Sequence, residues 1–282
     1  MTVAIVTDST CDMGPEALRA LRAEMVPLTV HFGQETFRDW IELSPEAFYR
    51  KLAQAPVLPT TSQPTPGEFA EVYRRLAESG VDGIASVHLS SKLSGTLESA
   101  LLAAKDAPVH VDVIDSLTVS GGLALVVKAA CAARDAGGDL ETIGAAARQC
   151  SDSIELFFVL DTLEFLVRGG RAGRAAGLAA SLLNIKPVLE VRGGVIEPFM
   201  RSKGSRRAIV EMATHVAERS KALGPLEIRI ISALADDLCQ LLADAIVSAG
   251  TLIATMEFGG IGTVIGTHAG PRALGVAYHS GK

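Results

Sequence analysis

Over the first half of the chain, short apolar runs alternate with stretches whose apolar residues recur at helical spacing. Val3 to Val6, Gly83 to His88 and Val109 to Ile114 have the length and composition of buried strands. Each leads through a polar turn into a helix. Asp12 and Pro15 open the first, with Leu18 and Leu21 facing inward. Leu97, Ala100, Leu101 and Ala104 define the second, predicted over Thr96 to Ala104. The third is a long Ala/Val/Leu helix after Ser120-Gly121-Gly122, whose glycines allow close approach to a sheet. Met25 to Phe32 reads as a further strand, Gly33 to Asp39 as a polar loop, and Ser44-Pro45-Glu46 as a helix start. The prolines between Pro59 and Glu68 exclude regular structure, so Thr61 and Ser62 are expected on a stiff loop. The capping box of Thr65 and Glu68, with Pro66 between them, then starts the next helix. Apolar strands alternating with helices predict a mostly parallel, helix-covered sheet over residues 1–150.

From Ile154 the texture changes. Leu156 to Leu160 is an apolar strand, and Asp161 to Glu164 caps a short helix ending at Arg168. Gly177 to Ile185 reads as an amphipathic helix. Val188 to Val191 and Val195 to Phe199 flank Arg192-Gly193-Gly194, a hairpin signal that makes the two arms antiparallel. A helix from about Ser205 to Ala222, a strand from Glu227 to Ile231, a helix from Asp236, a strand from Leu252 to Glu257 and an apolar run from Leu274 to Tyr278 follow. The pattern predicts a two-lobed α/β protein, residues 151–282 forming an α+β lobe.

Composition narrows the partners. The 282 residues are 48% hydrophobic, enough for sizeable cores, and the net charge of −6 offers no footprint for nucleic acid. Cys11, Cys131, Cys150 and Cys239 show no paired spacing and no nearby histidine, so neither a zinc site nor a disulfide framework is expected. Val3 to Val6 is too short for a signal-peptide core, and no uncharged apolar run reaches about 18 residues, so a cytoplasmic location and no transmembrane segment are expected.

The candidate chemistry centres on Leu89-Ser90-Ser91-Lys92-Leu93-Ser94-Gly95-Thr96, at a strand-to-helix turn. In an open α/β sheet such turns face the ligand crevice, and the helix start there offers backbone N–H groups and a positive dipole end beside the hydroxyls of Ser94 and Thr96. The site suits a small anion; the commonplace reading is that Ser94 only N-caps the helix. Asp8-Ser9 and Asp115-Ser116 also follow strands and read as caps. Arg168-Gly169-Gly170-Arg171-Ala172-Gly173-Arg174 sets three guanidinium groups on a glycine-rich turn, suited to phosphate or simply solvated. No Walker loop, dinucleotide fingerprint or Gly-x-Ser-x-Gly elbow occurs.

Together with Thr60-Thr61-Ser62-Gln63-Pro64, the serine-rich turn resembles the DegV family, bacterial fatty-acid-binding proteins that carry acyl chains to a separate fatty acid kinase. The likeness spans the chain through Thr7-Asp8-Ser9-Thr10, Ile114-Asp115-Ser116, Arg168 to Arg171, Arg201-Ser202 and His268-Ala269-Gly270-Pro271. It implies a long-chain fatty acid at the lobe interface, with its carboxylate at Thr61, Ser62, Ser94, Gly95, Thr96 and His268, and a phosphate- and kinase-facing set of Arg171, Arg201 and His268. It also implies acyl phosphate formed by the partner kinase, no catalytic residue or metal in this chain, and no cofactor beyond the bound lipid. Two positions depart from the family pattern: Ala172 stands where Ile is usual, and Arg272 where Gly is usual. The alternatives are a hydrolase or transferase using Ser94 with His268, or a binding protein for another small carboxylate. By residue type alone His268 is a loop histidine among flexible neighbours, and Arg201 an exposed arginine.

Overall fold

The computed structural model describes residues 2–181 and 186–281. In chain order the first half contains β1 (Val3–Asp8), α1 (Gly14–Ala20), β2 (Ala23–Val26), β3 (Thr29–Phe32), β4 (Glu35–Arg38), α2 (Pro45–Leu52), β5 (Thr60–Ser62), α3 (Pro66–Glu78), β6 (Gly83–His88), α4 (Thr96–Ala104), β7 (His110–Asp115), α5 (Gly121–Asp135) and α6 (Leu140–Ser153). The second half contains β8 (Glu155–Val159), α7 (Glu164–Arg168), β9 (Lys186–Arg192), β10 (Val195–Ser202), α8 (Ser205–Leu223), β11 (Leu226–Ser232), α9 (Asp236–Ser248), β12 (Ile253–Gly260), α10 (Thr263–Ala269) and β13 (Leu274–Ser280).

The α/β architecture, with a parallel sheet in the first half and a mixed sheet in the second, is as the patterning predicts. Strands β2-β1-β6-β7 form an all-parallel sheet whose inner strand β6 is buried on both faces. The second sheet, β10-β9-β8-β13-β11-β12, is antiparallel except for the parallel β11–β12 pair. Helices α5 and α6 lie between the sheets; α5 touches β1 and β6 on one side and β11 and β13 on the other. Its first turn approaches so closely that a Cβ on Gly121 would stand 3.2 Å from Ile231 Cγ2 and 3.4 Å from Ala277 Cβ. Helices α3 and α4 cover the outer face of the parallel sheet, and α8 and α9 that of the mixed sheet.

Several expectations need correction. Met25 to Phe32 is not one strand: Pro27, without an N–H, ends β2, and β3 joins a separate antiparallel sheet, β4-β3-β5. The polar segment after Gly33 is the exposed strand β4, paired with β3 through a turn at Gly33. The proline-rich segment does hold regular structure, since Thr60 to Ser62 pair with β3 as an edge strand, where the flanking prolines break no ladder. Gly173–Ser181 is a 3-10 helix where the amphipathic pattern suggested an α-helix; residues 182–185 of that expectation lie outside the described residues.

One buried contact ties the lobes together. Asp12 Oδ1 accepts from the Gly262 amide at 2.9 Å and its other oxygen from Ser120, while Asp39 Oδ1 accepts from the Thr263 amide and hydroxyl at 3.0 and 2.7 Å. Two carboxylates from the first half thus hold the start of α10. Burial, reinforced by the charge of Asp39, pushes Asp12 up to about 8 against the donor Ser120; burial likewise lifts Asp39 to about 6 against Thr263. The folded protein therefore binds protons that an unfolded chain with ordinary carboxylates releases. This stabilisation is complete below the unfolded carboxylate value of 3.8 and is lost as pH rises through about 6 for Asp39 and about 8 for Asp12. Asp12→Asn should accordingly gain less stability than the parent protein when pH is lowered from 8 to 6, as read from denaturant melts at both values. An unchanged difference between the two pH values would contradict the assignment.

Candidate functional site

Between the lobes lies a cavity of about 370 Å³. Its walls are aliphatic, from Leu28, Leu89, Leu93 and Val119 on one side to Leu156, Leu160, Ile231 and Val264 on the other. Leu28, Leu156, Leu160, Ile231 and Val264 belong to one continuous core cluster, so the aliphatic walls are part of the packed core. Polar groups gather at one end: Thr61, Ser62 and Gln63 from β5 and its exit, Ser94 from the β6–α4 turn, Arg171 after α7, and His268 in the last turn of α10.

Local structure fixes each of these. The β6–α4 turn is gripped by two carboxylates. Asp8 accepts from the Leu89 amide and from His88 Nδ1, both at 3.0 Å, besides capping Thr10. Asp115 accepts from the Ser91 amide at 3.3 Å and from its hydroxyl at 2.5 Å. The two aspartates therefore brace the turn; Asp8 also caps the 3-10 turn Ser9–Cys11 as expected, whereas Asp115-Ser116 caps no helix, since the N-cap of α5 is Ser120 and Asp115 instead accepts from the Leu117 amide. His88 Nε2 meets Ser86 Oγ at 2.7 Å, which sets Ser86, His88 and Asp8 in a row; all three side chains are sealed from solvent and brace β6 internally.

Ser94 is not the N-cap of α4; Gly95 occupies that position without a side-chain cap. Ser94 Oγ lies 2.9 Å from Thr96 Oγ1 and accepts from the Thr96 amide at 3.3 Å, so Thr96, fully buried, stands behind Ser94 rather than lining the cavity. Gly95 has a different task. Gln63 Nε2 donates to Gly95 O and Ser99 Oγ, each at 3.1 Å, and a Cβ on Gly95 would fall 2.4 Å from the Gln63 amide. Glycine here lets the Gln63 amide lie directly against the turn, so the two motifs pass in close contact. Sequence reasoning missed Gln63, although it sits inside the Thr-Ser-Gln-Pro run. Ser62 lines the cavity, but its hydroxyl is 2.9 Å from His31 Nε2, a histidine given no role by sequence.

His268 is not on a loop. It belongs to α10, a short helix disguised in sequence by its glycines and held at its start by Asp12 and Asp39. His268 Nε2 is 2.9 Å from Thr61 Oγ1, while Nδ1 is buried without a hydrogen-bond partner against Gly169. Burial, with the positive charge of Arg171 nearby, lowers its pKa to about 4, so the ring is neutral near pH 7. An orphaned N–H costs more than an orphaned lone pair, which places the proton on Nε2. His268 then donates to Thr61, and the Thr61 hydroxyl proton is free to donate into the cavity. In ligand-free protein the His268 ring should stay neutral from pH 8 down to 5; an NMR titration showing a midpoint near the ordinary value of 6.5 would contradict this.

Arg171 lines the cavity and is anchored by main-chain carbonyls, Nε to Leu93 O at 3.1 Å and Nη1 to Gly169 O at 2.8 Å. The structure does not bring Arg201 to this cluster: it is exposed on β10, outside the cavity lining. Arg168 and Arg174 pair with Glu164 and Glu197. Arg272 adopts φ +58° and pairs with Asp237 at 2.9 Å, so its charge stays outside the cavity. Ala172 is buried in the core cluster shared with the cavity walls.

The arrangement offers hydroxyl and guanidinium donors at one end of an apolar chamber, which suits an amphiphile with an anionic head. A serine nucleophile would need a base within hydrogen-bond reach, but Ser94 is bonded to Thr96 and His268 to Thr61. Among the described residues no group of three or more His, Cys, Asp or Glu could hold a metal ion, and no helix is long and apolar enough to cross a membrane.

A family model described as "Uncharacterised protein, DegV family" matches residues 2–281. A DegV domain-containing protein of Streptomyces coelicolor is 40% identical over 283 residues, covering 99% of this chain and 98% of that protein. Among solved structures, a DegV family protein from Thermus thermophilus, described for its fatty acid binding, superposes with a TM-score of 0.94 at 33% identity, covering 99% of this chain and 100% of that one. DegV from Bacillus subtilis, described as a fatty acid binding protein, has a TM-score of 0.89 at 31% identity, covering 99% of each chain.

Proposed function

Since the chain belongs to the DegV family, we propose that it binds one long-chain fatty acid between its lobes and presents the carboxyl group to a separate fatty acid kinase. The observation that carries this reading is the largely aliphatic cavity of about 370 Å³ with Thr61, Ser94, Arg171 and His268 gathered at one end. At about 0.8 kcal/mol per buried methylene, a tail of about fifteen carbons supplies roughly 12 kcal/mol before ordering costs. The head group then needs only enough hydrogen bonds to offset desolvation, from Ser94, the hydroxyl that His268 frees on Thr61, and Arg171. The relatives from Thermus thermophilus and Bacillus subtilis are described as binding fatty acid. The chain has no nucleotide-binding motif, so the acyl phosphate would be made by the partner kinase while this protein holds the acid.

Purified protein should carry about one equivalent of fatty acid, because an interior chamber releases its ligand slowly. Organic extraction and mass spectrometry measure this. Folded protein that is free of lipid and takes up no fatty acid of any length would overturn the reading.

A further inference from the structure

Gln63 joins the two stretches that carry the head-group hydroxyls. Pro64, which follows it, biases its backbone to the extended form, so the alternation of β5 continues through it: Thr61 and Gln63 turn to one side and Ser62 to the other. The contacts agree. Thr61 meets His268 at the chamber and Gln63 lines the chamber beside it, while the Ser62 hydroxyl meets His31 on β3.

The Gln63 amide ends on the first turn of α4, one residue past Ser94. Its Nε2 donates to Gly95 O and to Ser99 Oγ, each at 3.1 Å. A carbonyl oxygen only accepts, so the NH2 group must face Gly95 and the amide cannot be flipped. Gly95 O also accepts from the Ser99 amide at 3.1 Å, so Gln63 grips the hydrogen bond that closes this turn. Gly95, at the N-cap, brings no side-chain cap of its own. Among the described residues, the two Gln63 bonds are the hydrogen bonds that connect Thr60–Pro64 with Leu93–Ser99.

This tie bears on the shape of the ligand. A carboxylate has two equivalent oxygens at a fixed separation and can accept from Thr61 and Ser94 at once. An alcohol head offers one oxygen, and its hold depends far less on the spacing of the pair. Donors already held at the matching separation bind without first being ordered. Thr61 lies on a three-residue edge strand and Ser94 on a turn, so their separation is set by contacts across the gap, which Gln63 bridges.

Resting on the fatty-acid reading above, we propose that Gln63 is a positioning residue: by pinning the exit of β5 to the first turn of α4 it holds the Thr61 and Ser94 hydroxyls at the spacing a carboxylate spans, and so sets the preference for a free acid over an uncharged head on the same tail. Both of its donor hydrogens are committed to α4, so it acts through the two hydroxyls rather than on the acid.

The test measures, on delipidated protein, the affinity for a fatty acid and for the fatty alcohol of the same chain length. Gln63→Ala should weaken the acid by about three- to tenfold, the worth of a lost hydrogen-bonded tie, and leave the alcohol within about twofold, so that the preference for acid falls. Gln63 is exposed, and the variant should melt with the parent. Gly95→Ala supplies a second arm. At φ −77° alanine fits the backbone, but its Cβ would stand 2.4 Å from Gln63 Oε1 and 2.7 Å from Nε2 and displace the amide. It should lower the preference for acid in the parent and change it no further in Gln63→Ala, where that space is empty. A preference that survives Gln63→Ala in folded protein overturns the proposal. So does an equal effect of Gly95→Ala in both backgrounds, which would place its action in the helix start. Equal loss of acid and alcohol in Gln63→Ala overturns it too, since the residue would then only brace the fold. Parent protein that binds neither ligand overturns the fatty-acid reading itself.

Discussion

Ser94→Ala should weaken binding of a long-chain fatty acid by roughly 5- to 150-fold, the equivalent of about 1–3 kcal/mol for a buried carboxylate oxygen left without its donor. The loss comes from desolvation, since the apolar tail keeps the acid in place while its head lacks a partner. Thr61→Val should act in the same range, because it also strands the Nε2 proton of His268, whose Nδ1 already lacks a partner. The double variant should fall short of the sum, as both hydroxyls serve one carboxylate. Neither change should unfold the protein: Ser94 braces a turn already gripped by Asp8 and Asp115, and Thr61 lies on an edge strand. Calorimetry with a defined fatty acid on delipidated protein measures the effect. Unchanged affinity in folded variants would reduce both hydroxyls to local braces.

How much of this was legible in the sequence depended on the range of the determining contacts. The β6–α4 unit was readable because a buried apolar strand, a serine-rich turn and a helix at regular spacing are local signals. The split between β2 and β3 hung on Pro27, and the pairing of β5 on a partner about thirty residues away, which no local pattern reveals. Helix α10 was hidden for a related reason. Gly266 at its middle opposes helix formation, and the contacts that hold it come from Asp12 and Asp39, more than two hundred residues earlier. His268 thus read as a loop residue, and its neutrality was invisible because it follows from burial and from Arg171. The family resemblance named Thr61, Ser94 and His268 for the carboxylate and Arg171, Arg201 and His268 for the phosphate; the geometry brings Thr61, Ser94, Arg171 and His268 to one end of one cavity. Arg201 is elsewhere.

That separation sharpens the expectation for kinase presentation. Resemblance alone assigned Arg171, Arg201 and His268 to one phosphate-facing set, whose loss would spare lipid binding. In the structure Arg171 lines the cavity and braces Leu93 and Gly169, and His268 is buried on Thr61, whereas Arg201 is exposed and touches neither. Arg171→Ala and His268→Ala should therefore lower bound fatty acid as well as acyl phosphate. Arg201→Ala should keep a full complement of lipid yet, with a cognate kinase and ATP, form acyl phosphate at least about tenfold more slowly. An exposed guanidinium can meet a partner or the charge that develops when a carboxylate becomes an acyl phosphate, while contributing nothing to the resting acid. Acyl phosphate is trapped as a hydroxamate with hydroxylamine, and lipid is counted in the same samples. If Arg201→Ala forms hydroxamate at the parent rate, the handover surface does not include β10. If it loses lipid in proportion, Arg201 acts on the acid itself, through a path that its exposed position on β10 does not provide.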